Sequence, residues 1–119
     1  MNKKVAIIGA GPSGLLLAHY LLRRNNQYQI DIYERRSDPR LVSLSKRRTF
    51  PLSLGERGMS ALSKIEGLEE AVKGLSVEME GAIFHQKNGK TRLRSRKKPL
   101  FTLDRTELAI ALLNKLQEN

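Results

Sequence analysis

Hydrophobic positions along the first third of this chain change period twice. Lys3 to Ile8 is a short run rich in β-branched residues that stops at Gly9. Its apolar residues are consecutive rather than alternating, which predicts a buried strand. From Pro12 to Arg24 the spacing becomes helical: Leu15, Ala18 and Leu22 recur one turn apart. Pro12 suits a first turn, and Arg23-Arg24 suit the negative end of a helix dipole. Asn25-Asn26 break the helix, and Tyr28 to Glu34 alternates weakly through Tyr28, Ile30 and Ile32 as a second strand. Strand, helix and strand within about thirty residues make one βαβ unit, which implies parallel strands and a right-handed crossover.

Arg35 to Arg48 is polar and basic, holds Pro39, and reads as a loop. Gly55 to Ile65 and Leu68 to Leu75 read as short helices. Val77 to Gln86 and Thr91 to Arg96 flank Lys87-Asn88-Gly89-Lys90, and Asn-Gly between two strand-like runs signals a hairpin. Leu100 to Leu103 has the character of a further strand. Asp104 to Gln117 carries the clearest helix signature: Asp104 as N-cap, Glu107 three residues on as the second half of a capping box, and Leu108, Leu112 and Leu116 as an apolar stripe. The expected fold class is therefore α/β, a Rossmann-type βαβ region followed by a β-hairpin excursion.

Composition narrows the chemistry. Hydrophobic residues make up 39% of the 119 positions, too many for a disordered polycation and enough for one domain but not two. There is no cysteine, which excludes disulfides, thiolate metal sites and cysteine nucleophiles. The two histidines, His19 and His85, cannot make a three-ligand zinc site without carboxylate help. His19 is expected to be a partly exposed residue of the first helix, and His85 a structural strand residue. The longest strictly apolar run, Leu108 to Leu113, is six residues, so no segment spans a bilayer. The cytoplasm is the default location.

The chain carries 22 Lys and Arg against 12 Asp and Glu, a formal charge of +10. Lys87 to Lys98 holds seven cations and no acid, and Arg35, Arg36, Arg40, Lys46, Arg47 and Arg48 form a second cluster. Nucleic-acid binding is the obvious rival reading. No aromatic lies between Lys87 and Lys98, which argues against a stacking platform for single strands. A solvated hairpin face, with Arg92, Arg94 and Arg96 on one side of a strand, is the simpler account, and no specific nucleic-acid partner is expected.

Gly9-Ala10-Gly11-Pro12-Ser13-Gly14 fits G-x-G-x-x-G. The hexapeptide is common, but here it follows a strand, opens a helix, and is followed twenty residues after Gly14 by Glu34 at the end of the second strand. Gly9 permits the tight turn, Gly11 lets a pyrophosphate approach the backbone, and Gly14 lets the helix pack close to the sheet. The helix N-terminus offers free N–H groups and a positive dipole end to phosphates, and Glu34 can accept hydrogen bonds from ribose hydroxyls. This fingerprint serves NAD and FAD alike.

Val5 to Leu15, followed by Tyr33-Glu34-Arg35-Arg36, resembles the opening of the FAD-dependent aromatic-ring monooxygenases. Arg48 to Leu54, Arg57-Gly58, Ala61-Leu62, Gly67-Leu68, Met79, His85 and Gly89-Lys90 narrow the resemblance to the kynurenine 3-monooxygenase group. Asp104-Arg105-Thr106-Glu107-Leu108 with Leu112 matches that family's Arg-x-x-Leu-x-x-x-Leu helix start. By this resemblance Ser13, Tyr33, Glu34, Arg35, Arg36, Ser53 and Arg105 contact FAD, with NAD(P)H as electron donor and a small aromatic compound as substrate. Ala82 stands where kynurenine hydroxylases carry an arginine for the substrate carboxylate, with Glu80 nearby, which implies a related substrate rather than kynurenine itself. Members of the family are several times longer, so the 119 residues are expected to be an N-terminal piece. Residues 76–103 would be the hairpin of its substrate-side sheet, prone to associate through exposed strand edges. A stand-alone dinucleotide-binding module is the other reading.

Overall fold

The computed structural model describes residues 3–118. The βαβ unit forms as the pattern predicts. β1 (Lys4–Ile8) and β2 (Gln29–Tyr33) pair in parallel, from Lys4 opposite Gln29 to Ile8 opposite Tyr33, with α1 (Pro12–Arg24) between them. β1 is less covered than its consecutive apolar residues imply. Ile7 is buried but Ile8 is 82% exposed, because α1 and β2 cover only part of the strand among the described residues.

β3 (Pro51–Leu54), α2 (Glu56–Ser63), α3 (Leu68–Gly74), β4 (Val77–His85), β5 (Thr91–Asp104) and α4 (Arg105–Gln117) follow. The strands form a second, antiparallel sheet in the order β3-β5-β4. Two features depart from the sequence reading. β3 is a strand that the local pattern does not reveal, since its ladder partner, Phe101–Asp104, lies about fifty residues on. β5 is also one continuous strand where two separate runs were expected. It absorbs the interruption at Lys97-Lys98-Pro99 in a register shift opposite Met79–Gly81. The basic loop between β2 and β3 contains two single 3-10 turns, Pro39–Leu41 and Leu44–Lys46.

The core lies among the helices: Leu15, Met59, Leu62, Ile65, Leu68, Val72, Leu103, Leu108, Ala109 and Leu112 form one buried cluster. α1 and α4 lie side by side, and their contact includes a polar tie. His19, expected to be partly exposed, is 3% exposed, and its Nε2 hydrogen-bonds the carbonyl of Leu112 at 2.9 Å. Burying an imidazole is tolerable because that bond is made. Asp104 caps α4 as foreseen, accepting from the amides of Thr106 and Glu107. The capping box is not closed reciprocally, because the Glu107 carboxylate reaches Arg47 instead, at 2.9 Å.

Beyond the core the β4–β5 hairpin runs out as an arm, and the molecule measures 66 × 32 × 21 Å. At the register shift the chain needs Gly81, since a Cβ there would stand 2.6 Å from the carbonyl oxygen of Arg94. Gly81→Val should therefore loosen the arm alone. Amide exchange across residues 82–85 and 91–95 is expected to speed up roughly tenfold while the α1 and α4 amides keep their protection. Unchanged exchange in the arm would show that the contact yields without cost.

Candidate functional site

The site is built where the two halves of the fold meet. Gly9 adopts φ +104°, a conformation that side-chain-bearing residues rarely take. Its amide donates to the carbonyl of Tyr33 at 2.8 Å, tying the turn to the end of β2. Gly14 sits where the helix leaves the strand: a Cβ there would be 2.3 Å from the Gly9 carbonyl oxygen and 3.2 Å from Ile7 Cγ2. Gly11 is the N-cap of α1 and gives it no side-chain cap, and the first turn holds no acid. The first amides of the helix are thus left for a partner outside it.

Glu34 closes the turn from the β2 side. One carboxylate oxygen accepts from the amide of Ala10 at 2.9 Å and the other from the amide of Arg36 at 2.8 Å. These backbone bonds, Ala10 first, hold the Glu34 carboxyl below its ordinary value against a small opposing effect of burial, and the charges of Arg36 and Arg35 add to them. A depressed folded-state pKa gives a contribution that is complete above the ordinary carboxylate pKa and disappears as pH falls through the folded value. The Ala10 amide resonance should therefore be steady from neutral pH down to about 5 and move below about 4, with Glu34→Gln abolishing the transition. A transition near neutrality would contradict the assignment.

Arg105 enters from the opposite wall, on the first turn of α4. Its amide donates to the carbonyl of Phe50 at 3.1 Å, and its guanidinium lies 5.7 Å from the centroid of the Phe50 ring. It also reaches Gly11, where a Cβ would stand 3.1 Å from Arg105 Nη2. Asp104 and Thr49 anchor this helix start: the Thr49 hydroxyl donates to Asp104, and the Thr106 amide reaches Thr49 Oγ1 at 3.2 Å. Burial disfavours the Asp104 carboxylate, but the bonds from Thr49, Thr106 and Glu107 outweigh it and leave the group below its ordinary value.

Between these walls is an open cavity of about 800 Å³. Gly9, Gly11, Glu34, Arg35, Arg36 and Arg105 line it, six of the ten residues singled out from the sequence. Residues 7–75 match the family of NAD(P)-binding Rossmann-like domains. The chain belongs to that family. Over 118 residues this Rossmann-like domain is 40% identical to kynurenine 3-monooxygenase of Drosophila willistoni, a match covering 95% of this chain and 26% of the relative. The chain thus spans about a quarter of the length of that relative. Among solved structures, the tetrameric form of 2-methyl-3-hydroxypyridine-5-carboxylic acid oxygenase superposes with a TM-score of 0.75 at 19% identity, over 98% of this chain and 29% of that one. CtdE in complex with FAD superposes with a TM-score of 0.71 at 14% identity, over 99% and 28%. These likenesses establish the same α/β fold.

The other four singled-out residues of the Rossmann-like domain stand differently. Ser13 is exposed on the first turn of α1, Gly14 makes the helix–strand contact, and Tyr33 is 58% exposed at the end of β2. Ser53 lies on β3, where its hydroxyl pairs with that of Thr102 at 2.8 Å, and it is not among the residues that line the cavity. Conversely, Lys46, Arg47 and Arg48 line the cavity, although the sequence marks Lys46 and Arg47 only as part of a basic cluster and Arg48 only as part of that cluster and the start of a family-like segment. Arg47 is held by Glu107 and by the carbonyl of Val42, and Arg40 ties the same loop to Asn114 and Gln117 on α4. Among the described residues no group of three His, Asp or Glu could hold a metal ion, and no helix is long and apolar enough to cross a membrane.

Proposed function

We propose that this Rossmann-like domain binds FAD and is the cofactor-holding part of a flavin-dependent monooxygenase that hydroxylates a small aromatic compound in the cytoplasm, with NAD(P)H as electron donor. The observation that carries the reading is the meeting of Gly11, Glu34 and Arg105 around one cavity, brought together from three distant stretches of chain. The likeness to kynurenine 3-monooxygenase and to CtdE, solved with FAD, supports FAD over NAD as the resident dinucleotide.

The residues present fit such a group. The bare Gly11 leaves room for a pyrophosphate at the open amides of α1, and the positive helix end favours it. Glu34 uses one bond per carboxylate oxygen on the protein and keeps acceptor capacity for ribose hydroxyls. Arg105 supplies a planar cation for a phosphate, and Arg35 and Arg36 raise the local positive potential. When bound, the flavin supplies the reduced ring that activates O₂ for transfer of one oxygen atom to an aromatic ring. What the chain does is bind, orient and bias charge.

The 119 residues by themselves should bind but not hydroxylate. Productive transfer needs a pocket closed to water, whereas the cavity here is open and the arm from Val77 to Lys98 is almost wholly exposed. The test is NADPH and NADH oxidation with added FAD and a panel of small aromatic acids, read with product analysis. The expected result is flavin binding with no stoichiometric product. Stoichiometric hydroxylation would overturn this expectation, and at least tenfold tighter binding of NAD⁺ than of FAD would overturn the cofactor assignment.

A further inference from the structure

The loop between β2 and β3 forms one wall of the cavity, through Pro39, Val42, Lys46, Arg47 and Arg48. Its own structure is slight. The turn at Leu44–Lys46 is closed by two bonds, from the Lys46 amide to the Ser43 carbonyl at 2.9 Å and from the Arg47 amide to the Leu44 carbonyl at 3.4 Å. A single 3-10 turn does not fix a surface loop in place. Two arginines do, by reaching α4 near its opposite ends. Arg40 is held by both carboxylate oxygens of Asp38 and turns Nη1 to Asn114 at 2.9 Å and Gln117 at 2.6 Å. Arg47 gives Nε to the carbonyl of Val42 at 3.2 Å and Nη1 to Glu107 at 2.9 Å, and its side chain is only 13% exposed.

Glu107 is the unexpected member of this arrangement. It is an acid beside a cavity lined by Arg35, Arg36, Lys46, Arg48 and Arg105, whose combined field favours an anion. By charge alone, an acid at that place works against the ligand. It is not needed as a cap either, since Asp104 already takes the amides of Thr106 and Glu107. Its carboxylate is committed instead to the one cation of the loop that is largely withdrawn from solvent.

We propose that Glu107 and Arg47 are positioning residues of the dinucleotide site: their ion pair holds the basic loop against α4, so that Lys46 and Arg48, the neighbours of Arg47 in the chain, stand at the cavity before a phosphate arrives. The proposal rests on the reading of the cavity as a dinucleotide site. Arg47 on this account is a tie and not a phosphate ligand, because Glu107 already neutralises it. A loop ordered in advance loses little freedom on binding, and that saving appears as affinity. Charge and position therefore predict opposite signs. If charge governs, Glu107→Gln frees Arg47 for the anion and tightens binding. If position governs, the same change weakens it.

The test is calorimetric titration of ADP and of adenosine into the 119-residue chain, the Glu107→Gln variant and the exchanged pair R47E/E107R, with amide hydrogen exchange and thermal melts in parallel. Glu107→Gln should bind ADP about five- to tenfold more weakly and adenosine within about twofold, since the loop cations act on the charged half of the ligand. Exchange of the Lys46 and Arg47 amides should speed up roughly tenfold, with the melting temperature within about 2 °C of the unsubstituted chain. The exchanged pair should return ADP binding to within about threefold, because it restores the tie with the charges reversed. Equal or tighter ADP binding by Glu107→Gln, or no recovery in the exchanged pair, would overturn the proposal and leave the dinucleotide reading standing. So would an equal loss for ADP and adenosine with a lowered melting temperature, which would make the pair structural. If the unsubstituted chain bound neither ADP nor FAD, the dinucleotide reading would fall and the proposal with it.

Discussion

Gly14→Val is expected to lower the melting temperature by roughly 10 °C, the largest stability effect of any single change at the glycine turn. Even the first atom of a side chain, the Cβ, would stand 2.3 Å from the carbonyl oxygen of Gly9. That oxygen belongs to backbone that cannot swing aside, since the Gly9 amide is bonded to Tyr33 and the residue holds a positive φ. The helix must therefore move. α1 carries Leu15, Ala18 and His19 into the contact with α4, so a shift at its first turn opens the core along its length. Forcing a bulky group into a packed contact costs about 2–3 kcal/mol. Thermal melting followed by circular dichroism reads the effect. A melting temperature within about 2 °C of the unsubstituted chain would show that Gly14 is not needed for close packing.

Arg105→Ala should do the opposite, sparing the fold and weakening the site. A cation on the first turn of α4 opposes the helix dipole, whose positive end lies there, so its removal should leave stability unchanged or raise it by a few tenths of a kcal/mol. The side chain nonetheless reaches across to Gly11 and lies over Phe50. A residue that breaks a local rule and is held in place by its neighbours marks a functional position. A hydrogen bond to a charged group is worth about 1.5–3 kcal/mol, so ADP and FAD should bind roughly ten- to a hundredfold more weakly. Parallel melts and titrations separate the two effects. Weaker binding accompanied by an equal loss of stability would make Arg105 a structural residue.

The βαβ unit and the α4 cap were legible because their signals are local. Gly9, Gly11, Gly14 and Glu34 lie within one strand–helix–strand span, and Asp104 acts on amides two and three residues away. What the sequence hid depends on partners far along the chain. His19 looks like a helix-surface residue until Leu112 is brought against it, and Pro51–Leu54 carries no local strand signal until the end of β5 lies alongside. The capping-box signature promised the Glu107 carboxylate to its own helix start, yet a guanidinium sixty residues upstream competes better for it. β5 continues through Lys97-Lys98-Pro99 because proline is tolerated at strand irregularities, and the register shifts there. Of the site, the glycine wall and Arg105 were anticipated. That the loop of Lys46, Arg47 and Arg48 completes the cavity is not legible locally, because its position is set by the ties from Arg40 and Arg47 to α4.

Titration of FAD and of ADP into the 119-residue chain and its Gly11→Val variant, followed by calorimetry and flavin fluorescence, tests the central claim most directly. A Cβ at Gly11 would already stand 3.1 Å from Arg105 Nη2, so valine would press its methyl groups against the guanidinium and over the open amides of α1. The account predicts that the unsubstituted chain binds both compounds with the ADP half common to them, and that Gly11→Val weakens both by well over tenfold while the chain stays folded. Equal binding by the two proteins, or FAD binding that ADP does not displace, would contradict it.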